Sequence, residues 1–212
     1  MSKSLCRPRC RDRREAKEDA HWLLRGCPCD PDITQMVRGI APLLHYQMAQ
    51  NPQTPHTNPF CETWYVGKKT GALPSLGETE SFLDHLLVKG AVAPPCSIAS
   101  YIYVCRFLGV QSEFSPCGLT RDNWRILMLT ALMAADKFWD DTPLGNSQFA
   151  LVYPALSAHE LKVVEREFLH VLDFRLSILP SVYLAHYFQI RRAAQLSHSS
   201  LFASLAKSNV VM

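Results

Sequence analysis

Apolar residues recur at helical spacing along most of the chain, and no segment alternates strictly between apolar and polar residues over four or more positions. In the stretch 32–50, for example, Ile33, Val37, Ile40 and Leu44 fall on one helical face. Patterns of the same kind predict further helices over 81–89, 95–108, 120–137, 157–172 and 180–192, with a short apolar piece at 149–153. We therefore predict an all-α protein.

Local signals place the ends of several predicted helices. Ser157 and Glu160 have the S-x-x-E spacing of a capping box, in which each side chain bonds the other residue's exposed backbone amide. Pro180 suits the first turn of the last helix. Gly90 is typical of a residue that ends a helix, in this case the helix predicted at 81–89. Pro42 predicts a kink in the first helix or its division into two shorter pieces.

The segment from Trp124 to Ala135 differs from the other predicted helices because its only polar residues are Arg125 and Thr130. A helix that is apolar around its circumference must be covered on all sides, and one partner helix covers only one face. A membrane span needs about 20 apolar residues, so we do not expect an integral membrane protein. We predict a single helical bundle around a buried central helix, with an additional N-terminal helix at 31–50.

Charged residues are concentrated where this central helix ends, at Asp136, Lys137, Asp140 and Asp141. Carboxylates at a helix C-terminus oppose the helix dipole, so three of them indicate local pairing or a functional requirement. Glu165, in a later helix, lies beside that helix's buried stripe rather than opposite it. This position is as typical of a surface glutamate as of a functional one.

The net charge of +3 belongs to the N-terminus. Residues 1–30 contain eight Lys and Arg against five Asp and Glu, whereas residues 31–212 contain fourteen of each. We expect 1–30 to be a basic, Cys-containing disordered tail that supports at most peripheral membrane contact or salt-sensitive phosphate attraction. The neutral body offers no basic face for specific nucleic-acid binding. The expected organisation continues with the N-terminal helix at 31–50, a Pro-rich connection at 51–77, the bundle at 78–195 and a C-terminal tail at 196–212.

Targeting and catalytic motifs are missing from the sequence. The first residues lack the apolar stretch of a secretory signal, so we expect an intracellular protein, cytoplasmic or nuclear, with reduced cysteines. Cys6 and Cys10 have a zinc-ligand spacing but Cys27 and Cys29 do not, and we predict no metal site. The sequence GKKT at 67–70 lacks the upstream glycine of a phosphate loop and the Ser or Thr directly after its lysine. We predict no catalytic residue and no cofactor.

Four sequence segments together resemble a cyclin box. DNWR at 122–125 opens the central helix and KFWDD at 137–141 closes it, while LKVVEREFLHVLDFRL at 161–176 and PSVYLAHYFQIR at 180–191 follow in order. The resemblance covers about residues 78–192 and is strongest to single-box cyclins of the Pho80 type, and among them to cyclin Y. The region 78–195 is accordingly identified as a single cyclin box.

This resemblance implies a regulatory subunit of a cyclin-dependent protein kinase. In cyclins the lysine that ends the central helix and a glutamate of the following helix reach the kinase's mobile C-helix and the backbone beside it. The matching residues here are Lys137 and Glu165, with Phe138, Phe168 and Leu169 as candidates for apolar contact around them. The implied partner is a kinase of the PFTAIRE, PCTAIRE or Pho85-like class.

Some alternatives and departures stand beside this interpretation. A cyclin-fold scaffold or adaptor, including a transcription-related one, uses the same face without activating a kinase. Ser2 stands where the cyclin Y group has the glycine needed for myristoylation, so that modification is not expected here. Trp124 and Trp139, at the two ends of the central helix, are expected to be mainly structural.

Overall fold

The computed structural model describes residues 27–51, 58–66, 72–110 and 118–196. Several sequence-based expectations concern residues outside these ranges: Cys6 and Cys10, most of the basic tail, the sequence GKKT at 67–70 and nearly all of the C-terminal tail. The last residues of the expected tail are described. Cys27 and Asp30 form an isolated bridge, and the Tyr183 hydroxyl donates a hydrogen bond of 3.0 Å to the Pro28 carbonyl.

Apart from that bridge, the regular secondary structure of the described residues is helical, which confirms the all-α class. The helices are α1 (Ile33–Gln50), α2 (Glu62–Val66), α3 (Leu76–Asp84), α4 (Pro94–Gly109), α5 (Trp124–Trp139), α6 (Asn146–Val152), α7 (Ala158–Val171) and α8 (Pro180–Leu196). A π-helical turn, His85–Lys89, continues α3. None of the described helices has the length and apolar character that a membrane crossing requires.

The predicted buried central helix is α5, in which every residue from Ile126 to Ala135 is at most 2% exposed. Helices α4 and α7 pack against it, while α1 packs against α8 and α3. The two polar side chains of its apolar stretch, residues 124–135, have partners within the chain. The Thr130 hydroxyl donates to the Ile126 carbonyl at 2.7 Å, and the Arg125 guanidinium pairs with Glu62 at 3.1 Å.

Helix ends follow local chemistry. The capping box of Ser157 and Glu160 is present at the start of α7, as predicted. A second capping box, formed by Ser75 and Glu78, starts α3 several residues before the predicted beginning. Gly90 directly follows the last helical residue, Lys89, as predicted, although its φ is −67° and the left-handed residue is Ala91, with φ 49°.

Residues 51–77, expected to form an irregular connection, contain α2 and the first residues of α3. Phe60 and Cys61 are buried, so this part of the chain contributes to the core. Asp122, just before α5, accepts hydrogen bonds from the Thr63 amide at 3.2 Å and hydroxyl at 2.8 Å. Together with the pair of Glu62 and Arg125, these bonds attach α2 to the start of the central helix.

Pro42 does not divide the first helix, because α1 is assigned as one helix from Ile33 to Gln50. The Asp32 carboxylate caps this helix by accepting the Gln35 amide at 3.2 Å. In the same helix, Gly39 faces Ile190 of α8. A β-carbon added to Gly39 would lie 2.1 Å from the Ile190 carbonyl oxygen, so the two helices meet through backbone contact.

Candidate functional site

Lys137 and Glu165 lie in contact although 28 residues separate them. The Lys137 Nζ atom is 2.6 Å from Glu165 Oε1 and 2.7 Å from Oε2. Lys137 belongs to the last turn of α5 and Glu165 to the middle of α7. The buried side chains of Leu161, Val164 and Phe168 anchor α7 in the core, and this packing brings Glu165 beside the end of α5.

Asn146, the first residue of α6, is the third member of this cluster. Its Oδ1 accepts a hydrogen bond from Lys137 Nζ, and its Nδ2 donates to Glu165 Oε2 at 3.2 Å. Sequence reasoning missed Asn146, because its role depends on three helices meeting at one point. The only local signal is its place at the start of a short helix.

The ion pair is partly buried, with the Lys137 side chain 31% exposed and the Glu165 side chain 12% exposed. Charges in such a position interact more strongly than fully exposed ones, since less water screens them. The cluster still reaches the surface through Lys137. It therefore combines a defined geometry inside the chain with a charge that another molecule can contact.

The aromatic residues after Lys137 form an exposed apolar border. Phe138 is 49% exposed and Trp139 46% exposed, and their rings meet edge to face with centroids 5.2 Å apart. Trp139, expected to be mainly structural, is therefore not a fully buried core residue. Its indole N–H donates to the Tyr103 hydroxyl at 2.8 Å, which holds one edge of the ring while the rest faces solvent.

The other two apolar candidates lie deeper in the fold. Leu169 is partly buried and packs against the core. Phe168 is fully buried, and its ring stacks on Phe107 with centroids 5.3 Å apart. Phe168 therefore has no surface to offer a partner, because it belongs to the stripe that anchors α7. Phe168 contributes to the core that holds α7 in place, and the exposed border consists of Phe138 and Trp139.

Two of the three carboxylates at the end of α5 accept hydrogen bonds from nearby backbone amides. Asp136 Oδ2 accepts the Leu144 amide at 2.7 Å, and Asp140 Oδ1 accepts the Thr142 amide at 2.9 Å. These bonds offset the unfavourable interaction of both carboxylates with the helix dipole. They also shape the loop that joins α5 to α6 and leads to Asn146.

Asp136 is 1% exposed. Burial raises the pKa of its carboxyl above the ordinary value, and the nearby Asp140 carboxylate acts in the same direction. The hydrogen bond from Leu144 and the charge of Lys137 oppose this shift without cancelling it. The ionised form of Asp136 is therefore disfavoured in the folded chain.

Replacing Asp136 by asparagine is expected to raise the melting temperature at neutral pH, because the amide oxygen can accept the Leu144 amide while the buried charge is removed. A raised pKa means that the folded chain takes up a proton at higher pH than the unfolded chain. The stabilising contribution of this group is therefore complete at low pH and is lost as pH rises through the raised pKa. The advantage of Asp136→Asn should shrink as the pH of thermal melts is lowered. An advantage that grows with acidity would contradict this account.

Comparison with known proteins places these residues within a recognised domain. A family model described as Cyclin matches residues 69–176, a range that contains Lys137, Asn146 and Glu165. The chain is 27% identical over 113 residues to Cyclin-U4-1 of Arabidopsis thaliana, an alignment that covers 53% of this chain and 54% of that protein. It is 29% identical over 112 residues to Cyclin-U3-1 of the same plant, covering 52% and 48%. The chain thus spans about half the length of the curated relatives it matches.

Proposed function

Because the chain belongs to the cyclin family, we propose that it is the regulatory subunit of a cyclin-dependent protein kinase and activates that kinase by positioning its C-helix. Cyclins are regulatory proteins rather than enzymes, so the chain supplies binding surface and the kinase supplies the chemistry. The observation that carries the proposal is the contact between Lys137 and Glu165 at the surface, beside exposed Phe138.

The proposed activation changes the equilibrium between the inward and outward positions of the kinase C-helix. A protein kinase is competent only when a lysine of its third strand pairs with a glutamate of its C-helix, which requires that helix to lie inward. A subunit that binds the inward arrangement better than the outward one shifts the equilibrium by the difference in its two affinities. Lys137 and Glu165 offer a donor and an acceptor to the backbone around the C-helix, and Phe138 and Leu169 offer apolar contact.

A finer assignment within the family is also part of this proposal. KFWDD at 137–141 resembles the corresponding sequence of the Pho80-type and cyclin Y group. We accordingly propose a partner of the PFTAIRE, PCTAIRE or Pho85-like class. Measuring the affinity of the chain for each of these kinases, with other cyclin-dependent kinases as comparison, tests this assignment.

Exchanging the two charges, in a Lys137→Glu, Glu165→Lys double variant, tests the proposed contact. The two side chains can still pair with each other, so the chain should stay folded, with a modest fall in melting temperature because Glu at position 137 opposes the dipole of α5. The charges presented to the kinase are reversed, and the dissociation constant of the complex is expected to rise at least about tenfold. Binding of purified kinase to immobilised chain measures this effect.

A second ion pair, formed within α7, provides the control. Arg166 and Glu167 pair at 2.9 Å, and the Arg166 side chain is 63% exposed. An Arg166→Glu, Glu167→Arg exchange makes the same kind of charge exchange at side chains that pair with each other rather than with the cluster of Lys137, Asn146 and Glu165. Kinase affinity should stay near that of the wild type. If the exchange variant of Lys137 and Glu165 bound the kinase with the same affinity as the wild type, the proposed contact would be wrong.

A further inference from the structure

The loop between α5 and α6, residues 140–145, is fixed by hydrogen bonds along its length. Besides the bonds from the Thr142 and Leu144 amides to Asp140 and Asp136, the Gly145 amide donates to Gln148 Oε1 at 2.7 Å. The last of these bonds links the start of α6 to its own first turn. The backbone of Asn146, the next residue, is therefore held at a defined place beside the end of α5.

The Asn146 side chain uses both ends of its amide at the ion pair. The carbonyl oxygen accepts from the Lys137 ammonium and the amide nitrogen donates to the Glu165 carboxylate. An ammonium has three N–H donors, and the acceptors around Lys137 Nζ are the two Glu165 oxygens and the Asn146 oxygen. A neutral group with one donating and one accepting end suits a place between a cation and an anion, because it adds no charge to either.

We propose that Asn146 is a positioning residue of the kinase-binding site. Its side chain holds Lys137 and Glu165 in one arrangement before the kinase binds. This inference rests on the proposed function. Lysine and glutamate side chains have many rotamers, and immobilising them on binding reduces affinity. Because Asn146 contacts both charged groups, it restricts both in the free chain and lowers the entropy that is lost on binding.

Replacing Asn146 by alanine in the full chain tests this role. The probe is a panel of purified cyclin-dependent kinases that includes the PFTAIRE, PCTAIRE and Pho85-like classes. We expect the dissociation constant of the best-binding kinase to rise about fivefold, the size of effect that follows from releasing one or two restrained side chains. Ser147→Ala, at the next and exposed residue of α6, is the matched control and should leave the affinity unchanged.

A spectroscopic measurement on the free chain separates positioning from general support of α6. The terminal methylene group of Lys137 should become more mobile in Asn146→Ala, as measured by side-chain relaxation in nuclear magnetic resonance. The backbone chemical shifts of α7 should stay close to those of the wild type. If kinase affinity falls while the mobility of Lys137 is unchanged, Asn146 acts through the structure of α6 and the inference is wrong. An Asn146→Leu variant, closer in size, repeats the test if alanine shortens α6.

The exchange variant of Lys137 and Glu165 distinguishes failure of this inference from failure of the proposed function. If that variant loses affinity and Asn146→Ala does not, the contact assignment stands and the role of Asn146 is overturned. If neither variant loses affinity, the contact assignment fails and the role of Asn146 fails with it. If the wild-type chain binds no kinase of the panel, both are overturned. Loss of affinity in both variants, with a more mobile Lys137 in Asn146→Ala, supports both.

Discussion

Replacing Trp124 by alanine is expected to lower the free energy of unfolding by about 3–5 kcal/mol, the cost of truncating a large aromatic side chain in a packed core. Trp124 is 0% exposed at the first position of the central helix. Its ring meets the edge of Phe82 with centroids 4.9 Å apart, and the Arg125 guanidinium lies 4.6 Å from its centroid. Alanine removes all of these contacts at the point where α3 and α5 meet. Chemical denaturation measures the change.

Two control variants separate the effect of burying a large aromatic side chain from the effect of its indole N–H group. The Trp124 indole N–H is buried without a hydrogen-bond acceptor among the described residues, so Trp124→Phe keeps an aromatic ring and loses no hydrogen bond seen there. We expect it to cost much less than alanine. Trp139→Ala should also cost less, because Trp139 is nearly half exposed. Equal losses for Trp124→Ala and Trp139→Ala would mean that the burial of the central helix is not the main source of stability.

Replacing Gly39 by alanine is expected to lower the free energy of unfolding by about 3 kcal/mol, at the upper end of the usual cost of overpacking. The new β-carbon would lie 2.1 Å from the Ile190 carbonyl oxygen and 2.6 Å from its Cγ2 atom. A side chain could rotate away, but the carbonyl belongs to the backbone of α8, so α1 and α8 must separate. Thermal and denaturant melts of the variant measure the cost.

Gly77 provides the matched control in α3. A β-carbon added there meets nothing within 4 Å. Because glycine loses more backbone entropy than alanine in a helix, Gly77→Ala is expected to stabilise the chain by about 0.5–1 kcal/mol. Opposite signs for the two glycines would support the close contact of α1 and α8. A harmless Gly39→Ala would contradict that contact.

The parts of the fold that sequence predicted correctly depend on local rules. The helical period identified most helices, the lack of polar residues identified α5 as central, and the spacing of Ser157 and Glu160 identified a cap. The helix α2 was missed, because it is only five residues long and carries little periodic signal, whereas the π-helical turn lies inside the helix predicted at 81–89. Pro42 lies inside a continuous α1 because packing against α3 and α8 outweighs the lost hydrogen bond.

The candidate site was predictable residue by residue but not as a cluster. The positions of Lys137 and Glu165 were noticeable in the sequence, and the resemblance to cyclins joined them in one role. Asn146 belongs to no periodic pattern, so only the meeting of α5, α6 and α7 reveals it. Phe168 shows the opposite problem, since the stripe that includes it with Leu161 and Val164 already indicated burial. Its place in that stripe, rather than its closeness to Glu165 in the sequence, decides its role.

Kinase activity with and without the chain tests the central proposal most directly, because binding alone would fit a scaffold as well as an activator. The phosphorylation rate of a peptide substrate is measured for the best-binding kinase while wild-type chain, or the Lys137 and Glu165 exchange variant, is added to saturation. The account predicts that the wild type raises the rate at least about tenfold, as expected if the inactive arrangement is strongly populated in the free kinase. The exchange variant should need a higher concentration for the same effect. An unchanged rate at full saturation with the wild type would contradict the account.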